Sequence, residues 1–453
     1  MSELICAIST PLRPCAIGIL RLSGKGAVRA VDTLFTPQSG GTLAQAPAGK
    51  LVLGLLHDEQ GRVLDQVQAV RYASGYTGEE SAELFCHGSP VVLTLGMEAL
   101  CANGARPARA GEFTRRAFLN GKLGLTEAEA VIDLIDAEPP AAARNAVGQL
   151  TGALGRRVGK VYDRLVDLSA HFCAVLDYPD EDLDPFTVQG MEETLKACGE
   201  ELTALLATYR RGRALTRGVP CAILGRPNAG KSSLLNALVG YERAIVTDIP
   251  GTTRDTVEET VELGGVLLRL VDTAGLRESA DPVERLGVER SRAAMEQAEL
   301  ILVLWDSSRE VTREDADLLE QSMGQAPTIL VWTKTDLPTA HIPVMDLPQG
   351  LAVIEVSAKE GAGLDRLEAA VAALYPEGGE EAGSLLTNQR QADAARRALE
   401  ALERARNGLC LGLTPDAALS DTEEAMAALG ELTGRSVTED VTDRIFSRFC
   451  VGK

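Results

Sequence analysis

Residues 219–238 read Val219-Pro220-Cys221-Ala222-Ile223-Leu224-Gly225-Arg226-Pro227-Asn228-Ala229-Gly230-Lys231-Ser232-Ser233-Leu234-Leu235-Asn236-Ala237-Leu238: an apolar run, a glycine-bounded turn, and a second apolar run at helical spacing. Gly225 to Ser232 match GxxxxGK[ST], and the flanking order is the strand, loop and helix that this motif needs. Glycines let successive backbone N–H groups of Asn228, Ala229 and Gly230 converge on phosphate oxygens, and the N-terminus of the helix adds its dipole. Lys231 supplies a point charge, the Ser232 hydroxyl can join a Mg²⁺ shell, and Ser233 follows in the first helical turn. The expectation is a phosphate-binding α/β unit.

The motifs downstream narrow the nucleotide. The strand-like run Val266–Val271 ends in Asp272-Thr273-Ala274-Gly275, where the carboxylate can reach Mg²⁺ through water and the Gly275 amide can sense a γ-phosphate. The run Ile329–Trp332 leads into Thr333-Lys334-Thr335-Asp336. A carboxylate at Asp336 can accept the paired N–H groups of guanine, which adenine lacks, and the Lys334 stem can pack on the purine. Ser357-Ala358-Lys359 would bring a backbone amide to the guanine carbonyl. In order and spacing these elements resemble the NKxD pattern of translation-factor-like GTPases, with Thr333 in place of asparagine. Leu276 stands where a Ras-type switch would put glutamine, so another group must orient the attacking water. The loop Thr247-Asp248-Ile249-Pro250-Gly251-Thr252-Thr253 offers hydroxyls and carbonyls beside the phosphates, and Thr253 is placed to complete the Mg²⁺ shell.

The rest of the chain fixes the surroundings. Its 453 residues suit about three domains. A net charge of −20 and 4% aromatics exclude a uniformly basic or base-stacking nucleic-acid binder, so any such contact is local. Nine scattered cysteines and four histidines suggest neither a disulfide framework nor a zinc site, and no apolar run approaches a membrane span, which points to a cytoplasmic enzyme. The first 95 residues alternate strand-like runs with glycine turns. From Thr126, with Glu129 spaced as a capping box, the pattern reads as continuous helix to about Leu176, then as helix to Arg211. The βα alternation occupies residues after Gly218 to about Tyr375, and helix resumes from Ser384 with breaks at Gly412–Pro415 and Gly430–Gly434. The inference is an α/β unit with a mostly parallel sheet inserted in one helical domain.

Two stretches outside that unit carry a full-length resemblance. The C-terminal run is Thr433-Gly434-Arg435-Ser436-Val437-Thr438-Glu439-Asp440, then Asp443-Arg444-Ile445-Phe446-Ser447-Arg448-Phe449-Cys450-Val451-Gly452-Lys453. The N-terminal half holds Gly18-Ile19-Leu20-Arg21-Leu22-Ser23-Gly24, Tyr76-Thr77-Gly78-Glu79-Glu80, His87-Gly88 and Arg106-Pro107-Ala108-Arg109-Ala110-Gly111-Glu112-Phe113-Thr114. Together these resemble the tRNA modification GTPase MnmE (TrmE) family. Departures are Ser89 for a second glycine, Gly124 for aspartate and Leu12–Cys15 for a glycine-rich turn.

The resemblance implies a tetrahydrofolate-binding and dimerisation α/β domain at 1–118, helical parts at 119–212 and 377–453, and an inserted Ras-like GTPase domain at 213–376. It implies a homodimer that works with the flavoprotein MnmG on the wobble uridine of tRNA, with a reduced folate such as 5-formyltetrahydrofolate as one-carbon source. It implies potassium held by Asn228, Thr247, Ile249 and Thr252, magnesium held by Ser232 and Thr253, and water orientation by Glu284, though an acid at a helix start is otherwise commonly solvated. Folate contacts would be Arg21, Glu83, Lys122 and Lys453, a set suited to a pterin edge and a glutamate tail. Cys450, near Arg444, Arg448 and Lys453, would be favoured as thiolate and join the modification step; a cysteine between Phe449 and Val451 equally suits packing. Residues 101–122 carry Arg106, Arg109, Arg115, Arg116 and Lys122 against Glu112, a local patch for a folate tail or tRNA phosphate, or a solvated face. Two other classes stay open from the residues: a regulatory RNA-binding GTPase without chemistry of its own, and a P-loop kinase.

Overall fold

The computed structural model describes residues 3–177, 187–240, 259–271, 293–339, 347–375 and 382–435, with 446, 449 and 452. Contacts divide the chain into two units: Met1–Ile132, Gln149–Met191 and Asn407–Lys453 in one, Asp133–Gly148 and Glu192–Arg406 in the other.

The first unit holds a seven-stranded sheet, in order β3-β4-β5-β6-β2-β1-β7. Its strands are β1 (Ile5–Ile8), β2 (Cys15–Ser23), β3 (Phe35–Pro37), β4 (Val52–His57), β5 (Val63–Tyr72), β6 (Ser81–Gly88) and β7 (Arg106–Pro107). All pairs are antiparallel except β1 with β7. Alternation decides which face is covered: Leu20, Leu22, Leu56, Val67, Ala69 and Leu84 point into a core closed by α1 (Ala27–Asp32) and α2 (Pro90–Ala102). Burying each of the larger side chains fully stabilises by roughly 1.5–3 kcal/mol.

Helix α3 (Glu112–Leu119) follows, and then the helical segments begin. The single helix expected over 126–176 is three: α4 (Leu125–Ile135), α5 (Pro140–Leu150) and α6 (Ala153–Asp177). The physical reasons lie at the joints. Pro139 and Pro140 lack the amide that continued helix needs, and Pro140 opens α5 as a first-turn residue. Gly152, at φ 82°, reverses the chain before α6. Thr126 does not cap α4. The Ala128 amide already bonds the Gly124 carbonyl, so Thr126 sits within the first turn and its hydroxyl donates to Glu127.

Helices α7 (Val188–Ala207) and α8 (Tyr209–Arg217) precede the second sheet, whose order is β13-β12-β11-β8-β10-β9. Its strands are β8 (Val219–Gly225), β9 (Glu259–Leu263), β10 (Val266–Leu270), β11 (Leu300–Asp306), β12 (Thr328–Thr333) and β13 (Ala352–Glu355). Every pair is parallel except β9 with β10. Because helices cover a parallel sheet on both faces, its central strands are apolar throughout, and Leu300 to Leu304 are all fully buried. The covering helices include α9 (Lys231–Gly240), α10 (Arg313–Gln325) and α11 (Leu364–Leu374).

The chain ends in α12 (Gln389–Cys410) and α13 (Pro415–Thr433). Gly430 does not break α13. The helix runs through it and stops at Gly434, whose φ of 88° supplies the left-handed cap. Within the first unit, Arg435 then stacks 4.5 Å over the Tyr162 ring of α6. Among the described residues no helix is long and apolar enough to cross a membrane.

Candidate functional site

Parallel strands deliver their following loops to one edge of a sheet, and β8, β11, β12 and β13 all do so in the second unit. The loop after β8 turns from strand to helix within five residues, with Asn228 at φ 64° and Gly230 at φ 94°. Leu234, Leu235 and Leu238 of α9 sink into the core beside Cys221 and Ile223, which fixes the helix that begins at Lys231. The Lys231 ammonium folds back over the loop and donates to the carbonyls of Gly225 at 2.6 Å and Arg226 at 3.0 Å. Burial lowers its pKa, and an anion bound beside it would raise it again.

The segment after β12 is bonded to this loop. Thr333, the residue that departs from the NKxD pattern, is buried, and its hydroxyl lies 2.6 Å from the Ala229 carbonyl oxygen and 3.2 Å from that of Trp305. A threonine therefore makes a side-chain tie to the phosphate loop without an amide. Lys334 donates to the Asn228 carbonyl at 2.7 Å. Asp336 is oriented from β13: the Ser357 hydroxyl donates to its carboxylate at 2.9 Å and accepts the Glu360 amide at 3.2 Å. Ser357's own amide bonds the Ala362 carbonyl, and of the residues that follow Ala358 is half-buried and Lys359 exposed.

The structure thus brings Asn228, Ala229, Gly230, Lys231, Ser232 and Ser233 together with Thr333, Lys334 and Asp336, and orders Asp336 through Ser357. Thr247, Asp248, Ile249, Pro250, Gly251, Thr252, Thr253, Asp272, Thr273, Ala274, Gly275 and Glu284 lie outside the described residues. The donors that are described fit a nucleoside phosphate with hard cations. Ser232 carries a hydroxyl and Asn228 an amide oxygen, and glycine at 230 allows the left-handed backbone at φ 94°.

A second polar site forms in the first unit. Arg21 of β2 and Glu83 of β6 are register partners, and Arg21 Nε donates to Glu83 at 2.7 Å. Arg21 Nη1 also donates to the Gly452 carbonyl at 3.2 Å, and Ser9 donates to the same oxygen at 3.3 Å. The guanidinium stands 5.8 Å from the Phe113 ring centroid. The C-terminal segment is docked by Phe446 and Phe449, whose rings are 5.4 Å apart and pack with Ala128. Lys122 lies against Gly78. Cys450 and Lys453 fall outside the described residues, although Gly452 between them is described.

Two residues near this pair were missed in the sequence. Burial raises the phenol pKa of Tyr72 and of Tyr76, and the Arg21 charge opposes the shift in both. Tyr76 opens the run Tyr76-Thr77-Gly78-Glu79-Glu80, but nothing in the sequence ties it to Arg21. The basic patch at 101–122 is in part paired within the fold, while Arg109 and Lys122 are exposed. Arg106 makes two bonds to Glu112 at 2.9 and 2.7 Å and Arg116 one at 2.9 Å, with Glu3 and Glu79 as further partners. Burial pushes the Glu112 carboxyl up, but these bonds and the Arg109 amide hold it at about 2. Those two arginines are bound into the fold, leaving less charge for a polyanion than the residue count suggests.

Residues 4–122 match the family model "GTP-binding protein TrmE N-terminus" and residues 125–450 match "MnmE helical domain". The protein named tRNA modification GTPase MnmE in Thermus thermophilus is 44% identical over 456 residues, covering 100% of both chains. Its namesake in Heliobacterium modesticaldum is 40% identical over 468 residues, again covering 100% of both. Among solved structures, Aquifex aeolicus Era bound to GDP.AlF4- is 25% identical, covering 40% of this chain and 65% of that one at a TM-score of 0.25. With an N-terminal TrmE domain, a helical domain and an α/β phosphate-loop unit of mixed sheet in one polypeptide, the chain belongs to the tRNA modification GTPase MnmE family.

Proposed function

We propose that this GTPase hydrolyses GTP in a potassium-dependent manner and, with the flavoprotein MnmG, takes part in adding an aminomethyl or carboxymethylaminomethyl group at carbon 5 of the wobble uridine of certain tRNAs, using a folate one-carbon unit. The observation that carries the hydrolytic half is the convergence of Lys231, Asp336 and Asn228 on one sheet edge, with Asp336 oriented in advance by Ser357. Full-length similarity to proteins of that name supports the tRNA half.

In this reading the amides of Asn228 to Gly230 and the Lys231 ammonium bind phosphates, and Asp336 accepts the guanine N–H pair while an amide of Ala358 or Lys359 donates to its carbonyl. Ser232 and Thr253 would hold magnesium; Asn228, Thr247, Ile249 and Thr252 would hold potassium. Bound there, the cations would spread the negative charge that develops on the transferred phosphoryl group. Glu284 orients water, since Leu276 has no polar atom to do so. Asp272, Thr273, Ala274 and Gly275 sense the γ-phosphate.

Arg21, Glu83, Lys122 and Lys453 hold the folate, and Cys450 contributes to the modification step. The domains run 1–118 for folate and dimerisation, 119–212 and 377–453 for the helical part, and 213–376 for the GTPase. The protein acts as a cytoplasmic homodimer. The deciding experiment exchanges potassium for sodium at fixed ionic strength and, separately, measures wobble-uridine modification in cells lacking the protein. A strong fall in hydrolysis in sodium and undecorated anticodons are expected. Equal rates in both salts would remove the potassium reading, and full modification in the deletion strain would remove the tRNA reading.

A further inference from the structure

The described residues contain two non-glycine positions with left-handed backbone, Asn228 at φ 64° and Lys334 at φ 59°. Such a backbone is costly for a residue with a side chain and persists where neighbours hold it. These two are bonded to each other, through the Lys334 ammonium and the Asn228 carbonyl oxygen at 2.7 Å. One residue belongs to the base-recognition segment and the other to the phosphate loop.

A third residue, given no role so far, fastens the pair. Asp306 ends β11 directly beside Thr333, and its side chain is 8% exposed. Its Oδ2 accepts a bond from Lys334 at 2.6 Å. Its Oδ1 accepts both the backbone amide and the hydroxyl of Ser308, at 3.0 and 2.6 Å. Arg309 approaches Oδ2 at 3.6 Å. With both oxygens engaged, the carboxylate cannot swing with the lysine, so the ammonium is fixed between an immobile anion and the Asn228 carbonyl.

We infer that Asp306 is a positioning residue that couples purine recognition to the conformation of Asn228, acting through the Lys334 ammonium. Without the anion, the lysine stem loses its place along the purine plane and Asn228 loses the bond that secures its backbone. The link to potassium rests on the reading of Asn228 given above; the link to GDP affinity does not.

The test compares the full-length protein with Asp306→Asn, which keeps the acceptor for Ser308 but turns an amide N–H toward the ammonium. Two quantities are read, with thermal melting as the control for folding: affinity for a fluorescent GDP analogue, and the potassium concentration that half-activates GTP hydrolysis. Expected are GDP binding weakened about tenfold or more and a several-fold higher potassium requirement. A lowered melting temperature with both quantities unchanged overturns the inference, and weaker GDP binding with an unchanged potassium requirement overturns the coupling. If the unaltered protein is itself indifferent to potassium, the potassium reading fails on its own, and the GDP measurement still decides the hold of Asp306 on Lys334. Should Asp306→Asn not fold, Ser308→Ala, which removes the shorter of the two bonds to Oδ1 and leaves the backbone amide, must move the same quantities in the same direction by a smaller factor; no movement overturns the inference.

Discussion

The two sheets solve the problem of presenting polar groups in opposite ways. In the parallel sheet the strands are apolar and the chemistry sits in loops at their C-terminal ends, so a site is written as contiguous words: Gly225 to Ser233, Thr333 to Asp336, Ser357 to Lys359. In the antiparallel sheet the polar groups stand within the strands and on one following helix. Arg21 meets Glu83 across a ladder, and Arg116 of α3 meets Glu79 and Glu112. The difference teaches that a loop-borne site survives as a motif, whereas a strand-borne site exists only after pairing.

That contrast can be broken at its base reader first. Asp336→Asn exchanges an acceptor for a donor, so preference should pass from GTP toward xanthosine triphosphate by about 10³-fold in relative kcat/KM. Competition between the two nucleotides reads it, and an unchanged preference would detach the purine from this loop edge.

Next in size is the turn that holds Ser357 in place. Gly363 has φ 79°, and a Cβ there would collide with the Glu355 carbonyl. Gly363→Ala should cost the second unit about 3 kcal/mol in denaturant unfolding, from strain and displaced backbone. A loss below about 1 kcal/mol would mean the bridge from Ser357 to Ala362 tolerates a shift.

In the antiparallel unit the corresponding strain is ionic. Glu112→Gln should cost about 2 kcal/mol at pH 7, because charge-assisted bonds from two arginines weaken together. Glu112 is depressed to about 2 in the fold, against an ordinary value of 4.5. Its contribution is therefore complete above the unfolded value and disappears as pH falls from about 4.5 to about 2. Stability curves of the two proteins should converge over that window; a gap that persists at pH 2 would show the glutamate acting by shape alone.

The smallest effect belongs to Thr333. Thr333→Val removes the hydroxyl that bonds the Ala229 carbonyl and should weaken GDP by about 1 kcal/mol, a factor near five. Thr333→Asn should stay within a few-fold of the native affinity, since either side chain can donate to the loop; titration with a fluorescent GDP analogue checks both.

Legibility followed the same divide. Strand runs, the phosphate loop and the inserted α/β texture could be read locally, because each rests on residues adjacent in the chain. Asp306 gave one faint cue, an acid closing an apolar strand, but its partner Lys334 is 28 positions away. Thr126 and Glu129 have the spacing of a cap, yet the first helical bond falls at Gly124, so spacing alone misjudged the start. The long helix from 126 was overextended because apolar periodicity continued across Pro139-Pro140 and Gly152, where backbone chemistry overrules it. The arginines of 101–122 read as surface charge because Glu3 and Glu79, which neutralise part of them, are remote in sequence.

Arg21 takes its place in β2 early, but the carbonyl that receives its guanidinium belongs to Gly452, 431 residues later. During synthesis at about 5–20 residues per second, roughly 20–90 seconds separate the emergence of the two. For that interval the nascent N-terminal sheet lacks the carbonyl that Arg21 and Ser9 share, and Ala128 lacks the two phenylalanine rings that pack with it.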